Sequence, residues 1–139
     1  MKKSSFSIIV FFLAIISFQA IAQELLKIEY PLRVVSYNIR FDNPADGANT
    51  WANRKERVAT LLRFNQADIF CLQEALLNQI EDIEQQFPEF DYYGLGRNDG
   101  KQDGEFCPVF YNKSRFKVLE KGTFWLSETP EKPGSIAWY

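Results

Sequence analysis

Asp68-Ile69-Phe70-Cys71-Leu72-Gln73-Glu74 is a near-continuous apolar run closed by polar groups, the pattern of a strand buried on both faces. A helical pattern lies on each side of it. From about Trp51 to Asn65, the apolar positions Val58, Leu61, Leu62 and Trp51 recur at helical spacing. Arg54, Lys55, Glu56 and Arg57 fall on the wetter side of that helix. From about Leu76 to Gln86, the residues Leu76, Ile80, Ile83 and Phe87 share one helix face, and Pro88 stops it. Upstream, Leu32 to Asn38 is rich in β-branched and aromatic residues and reads as a strand after Tyr30-Pro31. The turn cluster Asp42-Asn43-Pro44-Ala45-Asp46-Gly47 then takes the chain off the sheet near Arg40 through a surface loop. Strand, helix, strand, helix is an α/β pattern, and a strand-helix-strand unit makes its two strands parallel neighbours.

The remainder reads differently. Phe90 to Leu95, Phe106 to Tyr111 and Phe116 to Leu126 are strand-like segments joined by glycine-rich or charged turns. The connection from Gly96 to Gly104 holds three glycines and two aspartates and reads as a mobile hairpin-like loop. The expected fold is half of an α/β sandwich: one mixed sheet with two helices on one face, the other face meeting a second sheet. Apolar surface left open on that face predicts a marginal, aggregation-prone fragment.

Residues 1–22 read as an address. Lys2 and Lys3 precede an apolar run from Ile8 to Phe18, and Ala20-Ile21-Ala22 is a small-x-small cleavage site, so a cut is expected before Gln23. The stretch from Ser4 to Gln23 is marginal for spanning about 30 Å of hydrocarbon, so no stable span is expected in the mature chain. The product would be exported, to the periplasm or the extracellular space. Residues 23–31 form a lead-in, and 32–139 the domain. The sequence stops at Ala137-Trp138-Tyr139 without a polar tail, which reads as truncation in mid-domain.

Losing the two leader lysines leaves 14 basic against 18 acidic side chains, a net charge of −4. Proteins that grip nucleic acid by its backbone carry a basic surface, so charge does not favour nucleic acid as a partner. Cys71 and Cys107 each sit in an apolar segment. Export permits a disulfide between them, but two cysteines make no framework and a buried free cysteine acts as a small hydrophobe.

Two strands end on a polar residue: Asn38 in Ser36-Tyr37-Asn38-Ile39-Arg40, and Glu74 in Leu72-Gln73-Glu74. Parallel neighbours bring both to one carboxyl edge, where open α/β sheets bind ligands. By position alone, a glutamate there more often begins a solvated loop, and an asparagine there can close the strand by an Asx turn. The set in order carries more. These two segments, then Gly94-Leu95-Gly96-Arg97-Asn98-Asp99, then Gly104-Glu105-Phe106-Cys107-Pro108-Val109-Phe110-Tyr111, resemble successive signatures of the endonuclease/exonuclease/phosphatase superfamily, of the deoxyribonuclease-like kind. Gly122 to Pro130 is similar to its exported bacterial subgroup. The resemblance spans about Leu32 to Trp138 and implies the N-terminal half of a four-layer α/β sandwich (α+β), monomeric when complete.

The resemblance also implies roles. Glu74 matches the family's glutamate for a divalent cation, usually Mg²⁺ with Mn²⁺ or Ca²⁺ as alternatives, since a hard cation prefers carboxylate oxygen. Asn38 matches an amide that supports the metal site or orients neighbouring catalytic groups. Glu105 matches a glutamate that orients a catalytic histidine, with a solvated loop residue as its bland reading. Arg97 and Arg40 are candidates for a bidentate contact to substrate phosphate, or plain surface charges. Tyr111 and Trp125 read as core or rim aromatics. Complete members add histidines, an Asp-x-Asn segment and a closing Asp-His pair, whereas this sequence has no histidine. Positioned bases contribute about 10² to 10⁴-fold, so the expectation is a metal-dependent phosphoester hydrolase by descent, inactive as these residues alone. A non-catalytic, exported binding module for phosphorylated sugars, lipids or nucleotides is the second reading. The substrate class stays open among nucleic acid, lipid head groups, inositol phosphates and small phosphodiesters.

Overall fold

The computed structural model describes residues 31–137; the leader reading of residues 1–22, most of the lead-in and the last two residues lie outside them. Strands β1 (Val34–Asn38) and β2 (Ile69–Gln73) lie where the β-branched and apolar runs predict them, with β3 (Phe90–Tyr93) and β4 (Val109–Asn112) after them. The sheet order is β1-β2-β4-β3. β1 pairs β2 in parallel, whereas β2–β4 and β3–β4 are antiparallel, so the sheet is mixed.

Helix α1 (Trp51–Phe64) buries Trp51, Val58, Ala59 and Leu62, and helix α2 (Leu77–Gln86) buries Gln79, Ile80 and Ile83. Leu61 departs from its predicted place. It is 42% exposed because it stands about 100° round the helix from Leu62, and Ala59 completes the inward stripe instead. α1 is capped by Asn65 and followed by Gln66 at φ 49°, an ordinary left-handed helix exit, and α2 is capped by Phe87 before Pro88.

Strand alternation sorts the sheet into two faces. Val35, Tyr37, Phe70, Leu72, Phe110 and Tyr92 point one way and pack with Val58, Leu62, Ile80, Ile83 and Phe87. The rings of Phe70 and Phe110 stack at 4.7 Å, and Phe87 and Phe90 tilt against Phe70 at 5.3 and 5.0 Å. Burying each such ring stabilises the fold by roughly 1.5–3 kcal/mol. The other face carries Val34, 56% exposed, and Val109, 41% exposed, with Cys71 half-buried between their strands. Burial of β2 on both faces is therefore corrected: among the described residues both helices cover one face only.

A second correction concerns Phe116 to Leu126. That segment forms no strand; Leu119 is 91% exposed and Leu126 72%. Its composition suits a strand, but no ladder partner meets it among the described residues, so its backbone takes local turns such as Trp125 N–H to Pro130 O at 2.8 Å. Both cysteines are free, and burial pushes the Cys71 thiol pKa up. Among the described residues no helix is long and apolar enough to cross a membrane.

Candidate functional site

The parallel register sets Asn38 beside Gln73, and Ile39 N–H continues the ladder to the Gln73 carbonyl at 3.1 Å. The next residue on β2 is Glu74, and Asn38 Nδ2 donates to Glu74 Oε1 at 2.8 Å. The other end of the same amide accepts from Arg40 N–H at 2.8 Å. One partner needs a donor and the other an acceptor, so together they settle the orientation of the amide. The Asx turn and the carboxylate contact are thus two ends of one side chain.

The backbone at this rim is strained. Arg40 and Glu74 have φ of 56° and 60°, left-handed values that cost a non-glycine residue about 1–3 kcal/mol and gather at functional sites. Two side chains hold the Arg40 turn in place. Arg54 donates to the Ile39 carbonyl, to Arg40 O at 3.0 Å, to Phe41 O at 3.3 Å and to Asn49 O at 2.6 Å. Gln79, fully buried, donates to Arg40 O at 3.0 Å and accepts from the N–H groups of Asp42 and Leu76, each at 3.0 Å. The reading of the sequence missed both. Gln79 had a signal, since it stands at the third position of α2 and makes half a capping box; Arg54 had none.

Arg40 spends its guanidinium fork on Asp46, at 2.5 and 2.6 Å. That hydrogen-bonded pairing raises the Arg40 pKa and lowers that of Asp46, so both stay charged. Glu105 and Arg97 lie on the far side of an isolated bridge in which Ala75 and Phe106 exchange hydrogen bonds at 2.7 and 3.3 Å. Arg97 Nη1 pairs with Glu105 Oε2 at 3.1 Å, and their backbones bond at 3.0 Å. The candidates thus form two clusters, Asn38-Glu74-Arg40 and Arg97-Glu105, one residue either side of that bridge.

The loop from Gly96 to Gly104, read as mobile, is bonded across. Gly96 N–H reaches Lys101 O at 3.1 Å, Asn98 N–H reaches Asp103 O at 3.0 Å, and Asp99 Oδ1 accepts from Lys101 and Asp103. Those backbone donors hold the Asp99 carboxyl below its ordinary pKa. Trp125 Nε1 donates to Arg97 O at 2.7 Å and latches the 123–136 segment onto this loop. Between them lies a cavity of about 540 Å³, with Arg97, Asn98, Glu105, Cys107, Phe124 and Trp125 in its wall. Tyr111 lies elsewhere, on the open sheet face, bonded to Asp91 at 3.0 Å.

The donors available to a metal are few. Among the described residues no three His, Cys, Asp or Glu side chains cluster as a ligand set. Glu74 Oε2 makes no hydrogen bond among these residues, while Oε1 is fixed by Asn38. A single oriented carboxylate fits a small hard cation that keeps most of its waters; it does not fit a closed zinc site, which needs four protein donors.

A mixed sheet presenting an oriented carboxylate and amide at the rim of its parallel pair defines an α/β protein with a ligand-facing edge. The chain belongs to the Endonuclease/Exonuclease/phosphatase family, whose description matches residues 35–136. Members of this family are hydrolases, phosphatases and nucleases among them. An endonuclease/exonuclease/phosphatase from Bacteroides vulgatus is 44% identical, with a TM-score of 0.75 over 77% of this chain and 41% of that one. A mannosyl-6-phosphatase of Bacteroides thetaiotaomicron is 43% identical, with a TM-score of 0.74 over 78% of this chain and 41% of that one. A CCR4-Not complex 3'-5'-exoribonuclease subunit of Mycosarcoma maydis is 32% identical over 63% of this chain and 16% of its own length. The chain therefore spans about two-fifths of the solved structures it matches.

Proposed function

We propose that the chain carries the metal-holding portion of an exported, Mg²⁺-dependent phosphoester hydrolase. The observation that carries the reading is the Asn38–Glu74 contact at 2.8 Å on a strained rim. Glu74 would hold the cation through its unpaired oxygen, and when bound the cation supplies Lewis-acid stabilisation of charge on the phosphoryl oxygens. Asn38 acts as the orienting partner, since its amide oxygen is already used by Arg40 N–H and its NH₂ group fixes the carboxylate. Arg97, with 62% of its side chain exposed, would offer phosphate the donors that Glu105 leaves free. The pairing of Arg40 with Asp46 leaves Arg40 a structural charge at the rim.

With no histidine among the 139 residues, the reading assigns the general base, and the sheet that completes a four-layer sandwich, to the larger portion of the matched structures that this chain does not span. These residues alone then bind metal without turnover. The likeness to a mannosyl-6-phosphatase puts sugar phosphates first on a substrate panel, and the acidic balance puts nucleic acid last.

The test is Glu74→Ala in the full-length protein, read by Mg²⁺ calorimetry and by phosphate release. Loss of Mg²⁺ binding with a fall in rate of roughly 10³-fold, several kcal/mol of transition-state stabilisation, is expected. Unchanged affinity and rate would remove the reading. Phosphoester binding without turnover in the wild type would support a non-catalytic binding module instead.

A further inference from the structure

We infer that Gln79 is a positioning residue of the rim: its buried amide ties the turn after β1 to the turn after β2, and so sets the distance at which Asn38 meets Glu74. The consequence for chemistry rests on the phosphoester reading, because that distance matters to the reaction only if Glu74 holds the cation.

The two turns need a common tie. Between the pairs Cys71–Val109 and Ala75–Phe106, β2 and its continuation run through Leu72, Gln73 and Glu74, while the facing chain runs only through Pro108 and Cys107. Leu72 N–H still bonds to Pro108 O at 3.0 Å, so the extra residue comes after it. Three residues against two make a β-bulge, and Glu74, at φ 60°, is the one in the left-handed region. A bulge re-aims the side chain it carries and breaks the ladder there. On the other side, the bonds between β1 and β2 end with Ile39 N–H on Gln73 O at 3.1 Å, one residue short of Glu74. The β1 chain then turns away through Arg40, left-handed too at φ 56°. The sheet therefore releases both chains at the level where Asn38 and Glu74 must stay aligned.

Gln79 closes that gap. Fully buried on α2, it donates from Nε2 to Arg40 O at 3.0 Å, and its Oε1 accepts from Asp42 N–H and Leu76 N–H, each at 3.0 Å. Two of these groups belong to the exit from β1, and the third lies two residues past Glu74. An oxygen that takes two N–H groups and a nitrogen that meets a carbonyl fix the direction of the amide. Arg54 grips the first turn as well, but its acceptors, the carbonyls of Ile39, Arg40, Phe41 and Asn49, all lie on the β1 side. Among the described residues no other side chain bonds to the backbone of both turns. Ile80 and Ile83, fully buried, seat α2 in the core, so the tie is made from a rigid element. Capping α2 would need the Leu76 contact alone; the other two bonds reach 37 and 39 residues back along the chain.

The experiment uses the full-length protein. Gln79→Met keeps the length of the side chain and removes all three bonds, whereas Gln79→Glu keeps the oxygen that caps α2 and removes the donor to Arg40 O. In metal-free protein the nuclear magnetic resonance signal of the Asn38 side-chain NH₂ is expected to move in both variants as it moves in Glu74→Ala, where its partner is gone. By calorimetry, Mg²⁺ affinity is expected to fall about tenfold in each, the scale of loss when a group that orients a metal ligand is removed. Placed on Asn38→Ala, which has already lost the contact, either substitution should cost less than about twofold more, since residues that act through one another do not add. An Asn38 signal that stays in place in both variants overturns the inference. So does Mg²⁺ affinity that both variants keep while Glu74→Ala abolishes it, and so does a loss in the double variants equal to the product of the single losses, which loosening of the fold alone would give. If Glu74→Ala leaves Mg²⁺ affinity unchanged, the phosphoester reading falls, and the Asn38 signal still decides whether Gln79 sets the contact.

Discussion

The rim of the β1–β2 pair and the segment from Phe116 to Ala137 are built in opposite ways. At the rim, ladder hydrogen bonds run up to Ile39, the rings of the core lie beneath, and Arg54 and Gln79 fasten the turn that follows. The segment has no ladder among the described residues, and Phe124 and Leu126 stand 70% and 72% exposed. Its hold on the rest comes from latches such as Trp125 Nε1 to Arg97 O. A group that must orient charge needs the first kind of support. A segment that only lies against a loop is held by the second, and can vary without disturbing the rim.

The largest effect that tests this contrast is on stability. Phe70→Ala removes the ring that touches Phe87, Phe90 and Phe110 at full burial, and should cost about 3–5 kcal/mol in denaturant unfolding of the full-length protein. Phe124→Ala should stay within about 0.5 kcal/mol of wild type. Similar costs for the two would dissolve the distinction between region and region.

The next effect separates orientation from folding at the rim itself. Asn38→Ala leaves Glu74 in place but frees its carboxylate to rotate, so metal affinity or phosphoesterase rate should fall about 10–100-fold. Because Asn38 is exposed, the unfolding midpoint should barely move. A midpoint loss as large as that of Phe70→Ala would make Asn38 a strand terminator and nothing more.

The rim was legible in the sequence because composition and punctuation there agree: two strand-like runs that each close on a polar residue, a turn cluster after Arg40, and Pro88 behind α2. Parallel pairing then follows from the strand-helix-strand order, and it brings Asn38 to Glu74. The segment at 116–126 was not legible, because β-branched and aromatic composition reports fitness for a pleated surface and says nothing about whether a partner strand is there to meet it. Gln79 escaped for another reason. A glutamine in an amphipathic helix reads as polar surface, and only the fold reveals three backbone groups converging on it. Asp46 likewise looks in the sequence like one more turn residue, so its hold on the Arg40 fork, six positions back, shows only in the structure.

The smallest expected effect sharpens the boundary between the two regions. Asp68, 8% exposed at the start of β2, accepts from Arg33 N–H at 2.9 Å and pairs with Arg115, which opens the segment after β4. The Arg33 N–H first, and then the Arg115 guanidinium, hold its carboxyl below the ordinary value of 3.8. A folded pKa below the unfolded one means the contribution is fully present above that value and fades as pH falls through the folded pKa. Asp68→Asn should therefore be less stable than wild type at neutral pH, with the gap closing in the window below 3.8. Acid and neutral denaturant titrations of both proteins measure it. A gap that stays constant down to the acid limit would mean that Asp68 acts through shape and not through charge, and that the electrostatic tie at the head of the segment is absent.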